Sequence, residues 1–437
     1  MKKVYVKDLN NYIDKEITFS GFIDAVRDKK WVQFIILRDS TGKVQATVEK
    51  SDENNASMVD LVSSLTHDSV IKLVGKVVKN EAVKLGGIEI IPSSIEIISK
   101  AEELPFDYNN LDGVNIDTRL DYRWLDMRNE KNTLVRQVES ALTQGMREFL
   151  YKENFTEIHT PKLIGTASES GSSVFEVKYF DRSAYLAQSP QFYKQMALAG
   201  GLDKVFEVAP VFRAENSNTN RHATEFTGFD LEFAHIDSYE DVMDLEEDLL
   251  IAGLSKVKEL YGEKIKELFD IDVIIPTKPF PRMDLEDLYK ELHDLYDYVI
   301  PEYDIGDTNA ETEKLIYKYA MEKYNSEFMF VTGYAATKRP FYHMRKDGVL
   351  QGYDLIWRGT EITSGAQREH RYEELVKNAE EKGLKKDVEF YLQFFKYGCP
   401  AHGGFGIGLD RLTMLLLGLS SLKETQFLFR GPNRLEP

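Results

Sequence analysis

Three separated clusters of polar residues interrupt otherwise apolar stretches, and the first two have compositions suited to handling anions while the third suits a cation. The first runs Val211-Phe-Arg213-Ala-Glu215, passes through a polar loop to Arg221-His222, and returns at Glu225-Phe226-Thr227. Alternate side chains of a strand share a face, so Arg213 and Glu215 point the same way at the mouth of a hairpin. There Arg213 can hold a phosphate while Glu215 meets an amino group; an ion-paired surface hairpin is the plainer alternative. The second cluster, Gly403-Gly-Phe-Gly-Ile-Gly-Leu-Asp-Arg411, opens an apolar helix over 412–419. Its glycines let backbone approach a ligand and the helix start favours an anion, although a tight strand-to-helix turn also accounts for them. No βαβ unit follows it and no Gly-Lys-Ser/Thr closes it, which argues against the dinucleotide and Walker fingerprints. The third spans Arg358 to Arg371. Together with Asp354, it places Glu361 and Ser364 close enough for an oxygen-ligand site for Mg²⁺, or else forms a solvated strand edge.

These side chains need a frame, and the pattern supplies one. Residues 1–100 hold five β-rich runs (17–23, 32–37, 43–48, 70–78 and 87–98) separated by turn residues, with a short helix around 57–65. Five strands with a helix between the third and fourth is the layout of an OB-fold barrel or of another small barrel. Residues 101–130 read as a connector. From Asn132 to Glu153, Leu134, Val138, Leu142, Met146 and Leu150 recur with helical period. Beyond it, strand-like pieces (184–188, 205–212, 226–233, 328–332, 349–357) and helical ones (243–260, 284–293, 311–324, 372–382) mix without a βαβ rhythm. The expected class is therefore α+β, with an antiparallel sheet flanked by helices in a domain covering 131–437.

Composition limits the remaining possibilities. A chain of 437 residues exceeds the growth limit of one core, so two or three domains are expected. No apolar run approaches the ~18 residues of a membrane span. The polar Met-Lys-Lys opening does not read as a secretory leader, and the lone Cys399 favours a reducing compartment, so a cytoplasmic location is expected. Net charge is −18, but residues 1–100 carry 15 Lys+Arg against 14 Asp+Glu. A near-neutral end on an acidic body can still hold a polyanion locally, because screening removes distant charge within ~8–10 Å.

Taken together, the motifs resemble the class II aminoacyl-tRNA synthetases. The long helix followed by Phe155-Thr-Glu-Ile-His-Thr-Pro161 is similar to motif 1 of that family, which forms its dimer interface. Phe212-Arg-Ala-Glu215 with Arg221-His222 is similar to motif 2, and Gly406-Ile-Gly-Leu-Asp-Arg411 to motif 3. An N-terminal OB barrel ahead of this domain is the layout of the aspartate, asparagine and lysine subgroup. Gln188-Ser-Pro-Gln-Phe-Tyr-Lys-Gln195, Arg339-Pro-Phe-Tyr342 and Ser364-Gly-Ala-Gln-Arg-Glu-His-Arg371 resemble the aspartate branch of archaeal and eukaryotic type.

The resemblance implies an enzyme that joins L-aspartate to ATP and passes the aspartyl group to the 3′-OH of tRNA(Asp), with tRNA(Asn) left open. It implies that Arg213 contacts the α-phosphate and that Glu361 and Ser364 hold Mg²⁺, with Asp354 in support. Arg221, His222 and Arg411 would take the β- and γ-phosphates, and Phe226 and Arg411 would sandwich adenine. Glu169 would bind the α-amino group. Gln191, Lys194 and Arg368 would line the side-chain pocket, where asparagine-specific relatives typically carry a glutamate in place of the lysine. On the barrel, Phe34, Gln45 and Glu89 match positions that meet anticodon bases, the plainer alternative for Phe34 being a barrel-core aromatic. Asp24 stands where relatives often carry an aromatic or His, and Lys84 lies nearby; these two positions bear on tRNA range and point in different directions. Gly431 departs from the acidic residue usual near the end of the family. Rival readings are an asparagine-specific synthetase, a tRNA-independent asparagine synthetase on the same domain, and an inactive RNA-binding paralogue.

Overall fold

The computed structural model describes residues 4–165, 173–217 and 219–437. Contacts divide the chain into two compact units, Met1–Leu111 and Asp112–Pro437.

In the first unit five strands close into a barrel: β1 (Glu16–Asp28), β2 (Val32–Asp39), β3 (Gly42–Glu49), β4 (Val70–Lys79) and β5 (Ile88–Ser99), in the order β1-β2-β3-β5-β4. Helix α1 (Ala56–Ser63) lies between β3 and β4, as the spacing predicts for an OB fold. Closure follows from alternation. Ile35 and Leu37 of β2, Val44, Ala46 and Val48 of β3, and Ile71 and Leu73 of β4 all point inward and are buried. Burying such side chains stabilises by ~1.5–3 kcal/mol each, so the pattern determines register. Asp24 sits at a bulge of β1 between Ile23 and Ala25.

The second unit is built on an eight-stranded sheet. Its strands are β6 (Thr156–Glu157), β7 (Lys204–Phe212), β8 (Glu225–Ala234), β9 (Arg282–Asp284), β10 (Phe328–Thr332), β11 (Gly352–Trp357), β12 (Thr360–Arg368) and β13 (His402–Gly408). The order is β9-β10-β11-β12-β13-β8-β7-β6. Its six inner strands are antiparallel, and only the edge pairs β9/β10 and β7/β6 are parallel. The α+β expectation therefore holds.

One face of this sheet is covered by two helices that pack on each other, α2 (Glu130–Lys152) and α4 (Tyr239–Phe269). Asn129 caps α2, accepting from the N–H groups of Lys131 and Asn132, and Ser238 with Asp241 forms a capping box on α4. Leu134, Val138, Leu142 and Met146 of α2 pack with Leu249 and Leu254 of α4 against Phe229, Leu231, Phe405 and Tyr353 of the sheet. Because strand side chains alternate, the neighbours Asp230, Glu232, Asp354 and Gly406 turn to the opposite face. That face stays open, bounded by α3 (Gln191–Ala199) and α5 (Ala310–Tyr324). Among the described residues no helix is long and apolar enough to cross a membrane.

Two expectations need correction. The glycine-rich stretch 403–408 is not a turn: it is β13, hydrogen-bonded on both sides to β8 and β12, and helix α6 (Leu409–Leu416) starts only after it. Glycine is required there by crowding, since a Cβ on Gly404 would lie 2.2 Å from Leu231 O and one on Gly406 2.8 Å from Asp230 Oδ1. The run 349–357 is two pieces, because Val349–Leu350 pairs back on Arg345–Lys346 before β11 begins.

Candidate active site and nucleic-acid face

The open face carries a cleft of about 970 Å³ lined by Arg213, Glu215, Arg221, His222, Phe226, Glu361, Ser364 and Arg411, among others. It runs into a second cleft of about 1340 Å³ lined by Gln191, Arg339, His343 and Arg368. Gln188, Ser189, Arg213, Asp230, Ser364 and Gly406 border both. The two compartments thus meet at Arg213 and Ser364.

In the first cleft Arg213 follows the last residue of β7, with its guanidinium 5.3 Å from the ring centroid of Phe226 and no protein carboxylate paired to it among the described residues. Arg411 is anchored differently. Its Nη1 donates to Glu361 O at 2.9 Å and its Nη2 to Arg221 O at 3.3 Å. Arg221 in turn pairs with Glu313 of α5 at 3.0 Å. His222 contacts Thr219, and burial followed by the Arg411 charge lowers its pKa. Three arginines and a histidine therefore converge on one cavity, and although Arg221 is paired with Glu313, Arg213 and Arg411 have no carboxylate partner among the described residues, an arrangement that suits phosphates. Arg213 also lies over Phe226, and Arg411 lines the same cleft.

Glu361, Ser364 and Asp354 do come together. Ser364 Oγ–H donates to Asp354 Oδ1 at 2.6 Å and lies 3.4 Å from Glu361 Oε1. Arg339 forks onto Asp354, with Nη1 to Oδ1 at 2.9 Å and Nη2 to Oδ2 at 2.5 Å. Burial, and then the Asp354 charge, push the Glu361 carboxyl up to about 7. Glu361 and Ser364 offer hard oxygens, with Asp354 held behind them by Arg339, and a divalent cation would favour the charged form of Glu361 that burial and Asp354 oppose, so the residues fit Mg²⁺.

Beneath the second cleft lies a buried charge network. Lys194 Nζ, on α3, is 3.1 Å from Asp230 Oδ1 and 3.2 Å from Glu232 Oε2, and donates to the carbonyls of Leu231 and Phe405. It lies in the floor and does not border either cleft. Arg368, which does border the second, donates from Nε to Glu232 Oε1 at 2.8 Å and from Nη2 to Gly404 O at 2.7 Å. Burial works against the charge of Glu232, yet Arg368 and then Lys194 outweigh it and hold its pKa below the usual range. Gln191 donates to Gln195 at 2.8 Å. Glu169 lies outside the described residues.

The motif reading missed Asp230, Glu232, Arg339, His343 and Glu313. A signal existed for the first two, which are acids at alternate positions of the apolar run Phe226–Phe233. Arg339 stands in the Arg339-Pro-Phe-Tyr342 segment that carried the resemblance. Glu313 is one acid among several on a helix, and nothing in its neighbourhood marks it.

On the barrel, Phe34 pairs in register with Thr47, and Gln45 with Glu89. Phe34 is half-buried and stands outside the barrel core. Gln45 donates to Glu89 at 3.1 Å, and Asn80 holds the other carboxylate oxygen at 2.7 Å. The register therefore puts Phe34, Gln45 and Glu89 on one outer face, an aromatic ring beside fixed polar groups, which suits stacking and edge recognition of unpaired bases. Asp24 pairs with Lys43 at 2.8 Å, and Lys84 is exposed.

Residues 115–430 match the family described as tRNA synthetases class II (D, K and N), and residues 17–98 the OB-fold nucleic acid binding domain. The chain is 42% identical to the aspartate–tRNA(Asp) ligase of Pyrococcus abyssi, over 97% of this chain and 96% of that one. It is 40% identical to the aspartate–tRNA(Asp/Asn) ligase of Methanopyrus kandleri over the full length of both. Among solved structures, the asparaginyl-tRNA synthetase of Pyrococcus horikoshii in complex with asparaginyl-adenylate superposes with a TM-score of 0.91, at 32% identity and full coverage of both chains.

Proposed function

The chain belongs to the class II tRNA synthetases of the aspartate, lysine and asparagine group, and from that premise we propose that it is an aspartate–tRNA ligase. It activates L-aspartate with ATP and transfers the aspartyl group to tRNA. Lys194 carries the choice of aspartate over asparagine. Its ammonium, 3.1 and 3.2 Å from Asp230 and Glu232, offsets the floor carboxylates, so that a substrate carboxylate beside Arg368 meets no net repulsion. A glutamate at 194 would leave three acids around one arginine and favour a neutral amide.

In the proposed reaction the α-carboxylate of aspartate attacks the α-phosphorus of ATP, and pyrophosphate leaves. The protein forms no covalent intermediate; it aligns two anions and offsets the charge that grows on the phosphoryl oxygens. Arg213, shared by both clefts and without a carboxylate partner among the described residues, meets the α-phosphate where the reactants join. Phe226 offers its ring to adenine, while Arg221, His222 and Arg411 receive the outer phosphates. Glu361 and Ser364, with Asp354 behind them, would hold Mg²⁺, which supplies positive charge to the polyphosphate when bound. The terminal adenosine hydroxyl of tRNA then attacks the acyl carbon and AMP departs, while Phe34, Gln45 and Glu89 read the anticodon. The motif 1 helix α2 serves as the homodimer face, and the lone cysteine is in keeping with a cytoplasmic setting.

ATP–pyrophosphate exchange driven by aspartate and not asparagine is the expected result, followed by charging of tRNA(Asp) transcript. Exchange with asparagine alone would overturn the assignment. Charging of tRNA(Asn) as well would place the chain with relatives such as the Methanopyrus kandleri enzyme.

A further inference from the structure

His343 has no role in the reaction as described, yet it borders the second cleft, is 4% exposed, and touches the arginine on which the amino-acid pocket depends. Its Nε2 lies 3.0 Å from Nη1 of Arg368, and the two residues also form a backbone bridge between the 339–344 segment and the end of β12. A guanidinium can only donate, so Nε2 must be the acceptor and the ring must be neutral, with its proton on Nδ1. Burial, and then the nearby Arg368, Arg339 and Lys194, hold the His343 pKa well below its ordinary value, in keeping with a neutral ring.

Arg368 has five N–H groups. Nε and Nη2 are held by Glu232 at 2.8 and 3.4 Å, Nη2 also by Gly404 O, and Nη1 by His343. Among the described residues four are thus committed to protein, and one N–H of Nη1 is left. Without His343, Nη1 would have two free hydrogens and nothing opposite Glu232 to stop the fork turning about its long axis. Lys194 cannot take over, because its ammonium already faces two carboxylates and two carbonyls.

We propose that His343 is a positioning residue for amino-acid recognition: its Nε2 clamps Arg368 from the side opposite Glu232, so that the single remaining N–H of Nη1 is presented to the side-chain carboxylate of the substrate. The proposal rests on the aspartate reading above. It favours aspartate because an N–H held in one direction donates to a charged carboxylate oxygen, a stronger hydrogen bond than the neutral carbonyl oxygen of asparagine would accept.

The test is steady-state ATP–pyrophosphate exchange on the full chain with three variants. His343→Phe keeps a ring without an acceptor, and His343→Asn cannot reach Arg368. His343→Gln returns an amide oxygen near the position of Nε2. Loss of one hydrogen bond to a charged group should raise KM for aspartate about tenfold or more in the Phe and Asn variants, with KM for ATP unchanged and kcat moved far less. The Gln variant should recover KM to within about threefold. If the Phe variant does not fold, the Asn and Gln pair decides the matter alone. The proposal is overturned if KM for aspartate stays at the native value without the acceptor, if KM for ATP rises in parallel, or if Gln is as impaired as Asn. Absence of aspartate-dependent exchange in the unaltered protein would instead defeat the functional reading, so the two failures are distinguishable.

Discussion

Lys194 illustrates how a buried charge can matter more by what it balances than by what it touches. It sits among Asp230, Glu232 and two carbonyls, 2% exposed. Replacing it with methionine would leave Asp230 without its ion-pair partner and Glu232 with Arg368 alone in a low-dielectric floor, a change that costs about 3–5 kcal/mol. Lys194→Met should therefore lower stability by that order in urea unfolding and abolish aspartate-dependent exchange. Glu361 makes a different prediction. Its carboxyl is raised to about 7, so the charged form that a cation requires is lost as pH falls through that value. Exchange activity should decline on the acid side of about pH 7, and raising the Mg²⁺ concentration should move that limb to lower pH. Glu361→Gln should remove the response to Mg²⁺.

Among the elements, β13 is the most constrained. It runs between β8 and β12 with glycines where neighbouring backbone comes closest, and Gly404 O accepts from Arg368. Gly404→Ala would force a methyl to 2.2 Å from Leu231 O and 2.5 Å from Glu232 Oε2. Overpacking of this kind costs about 1–3 kcal/mol, and here it also displaces an acceptor of Arg368, so thermal stability should fall and KM for aspartate rise together. Helix α4 holds Glu246 fully buried, with Tyr353 donating to it at 2.7 Å, and burial raises its carboxyl to about 8. Between its unfolded value and 8 the native chain holds a proton that the unfolded chain has released, so stability falls as pH rises through this window. Glu246→Gln should flatten that loss, as read by Tm between pH 5 and 8.

At the scale of the whole molecule, each of the two units has its own core, the barrel cluster around Ile35, Leu37 and Leu73 and the sheet–helix cluster around Leu142, Leu254 and Phe405. A fragment ending at 111 should therefore unfold cooperatively by itself. It should bind an anticodon stem-loop in a salt-dependent manner, and Phe34→Ala should weaken that binding by about 1–3 kcal/mol if the ring stacks on a base. The complementary fragment from 112 should keep aspartate-dependent exchange while losing efficient tRNA charging. Equal charging by that fragment and the full chain would contradict a role for the barrel in recognition.

What the sequence by itself determined is the material that depends on local periodicity. The five barrel strands, the amphipathic α2 and the hairpin carrying Arg213 were legible because period-2 and period-3.6 burial act on neighbours in the chain. The motif residues Arg213, Glu361, Ser364 and Arg411 were legible because polar groups on otherwise apolar elements need a reason to be there. The tertiary structure decided what depends on residues far apart in sequence. That Gly403–Gly408 is an inner strand follows from Leu231 and Ala366 pressing on it from either side, contacts that the stretch itself cannot reveal. That Lys194 lies in the floor, that Arg339 grips Asp354, and that His343 faces Arg368 all follow from a helix and a loop segment meeting sheet strands far from them in sequence. Side-chain chemistry can be read along a chain, but the partners that assign each charge its role are brought together only when the sheet closes over the buried face of its helices.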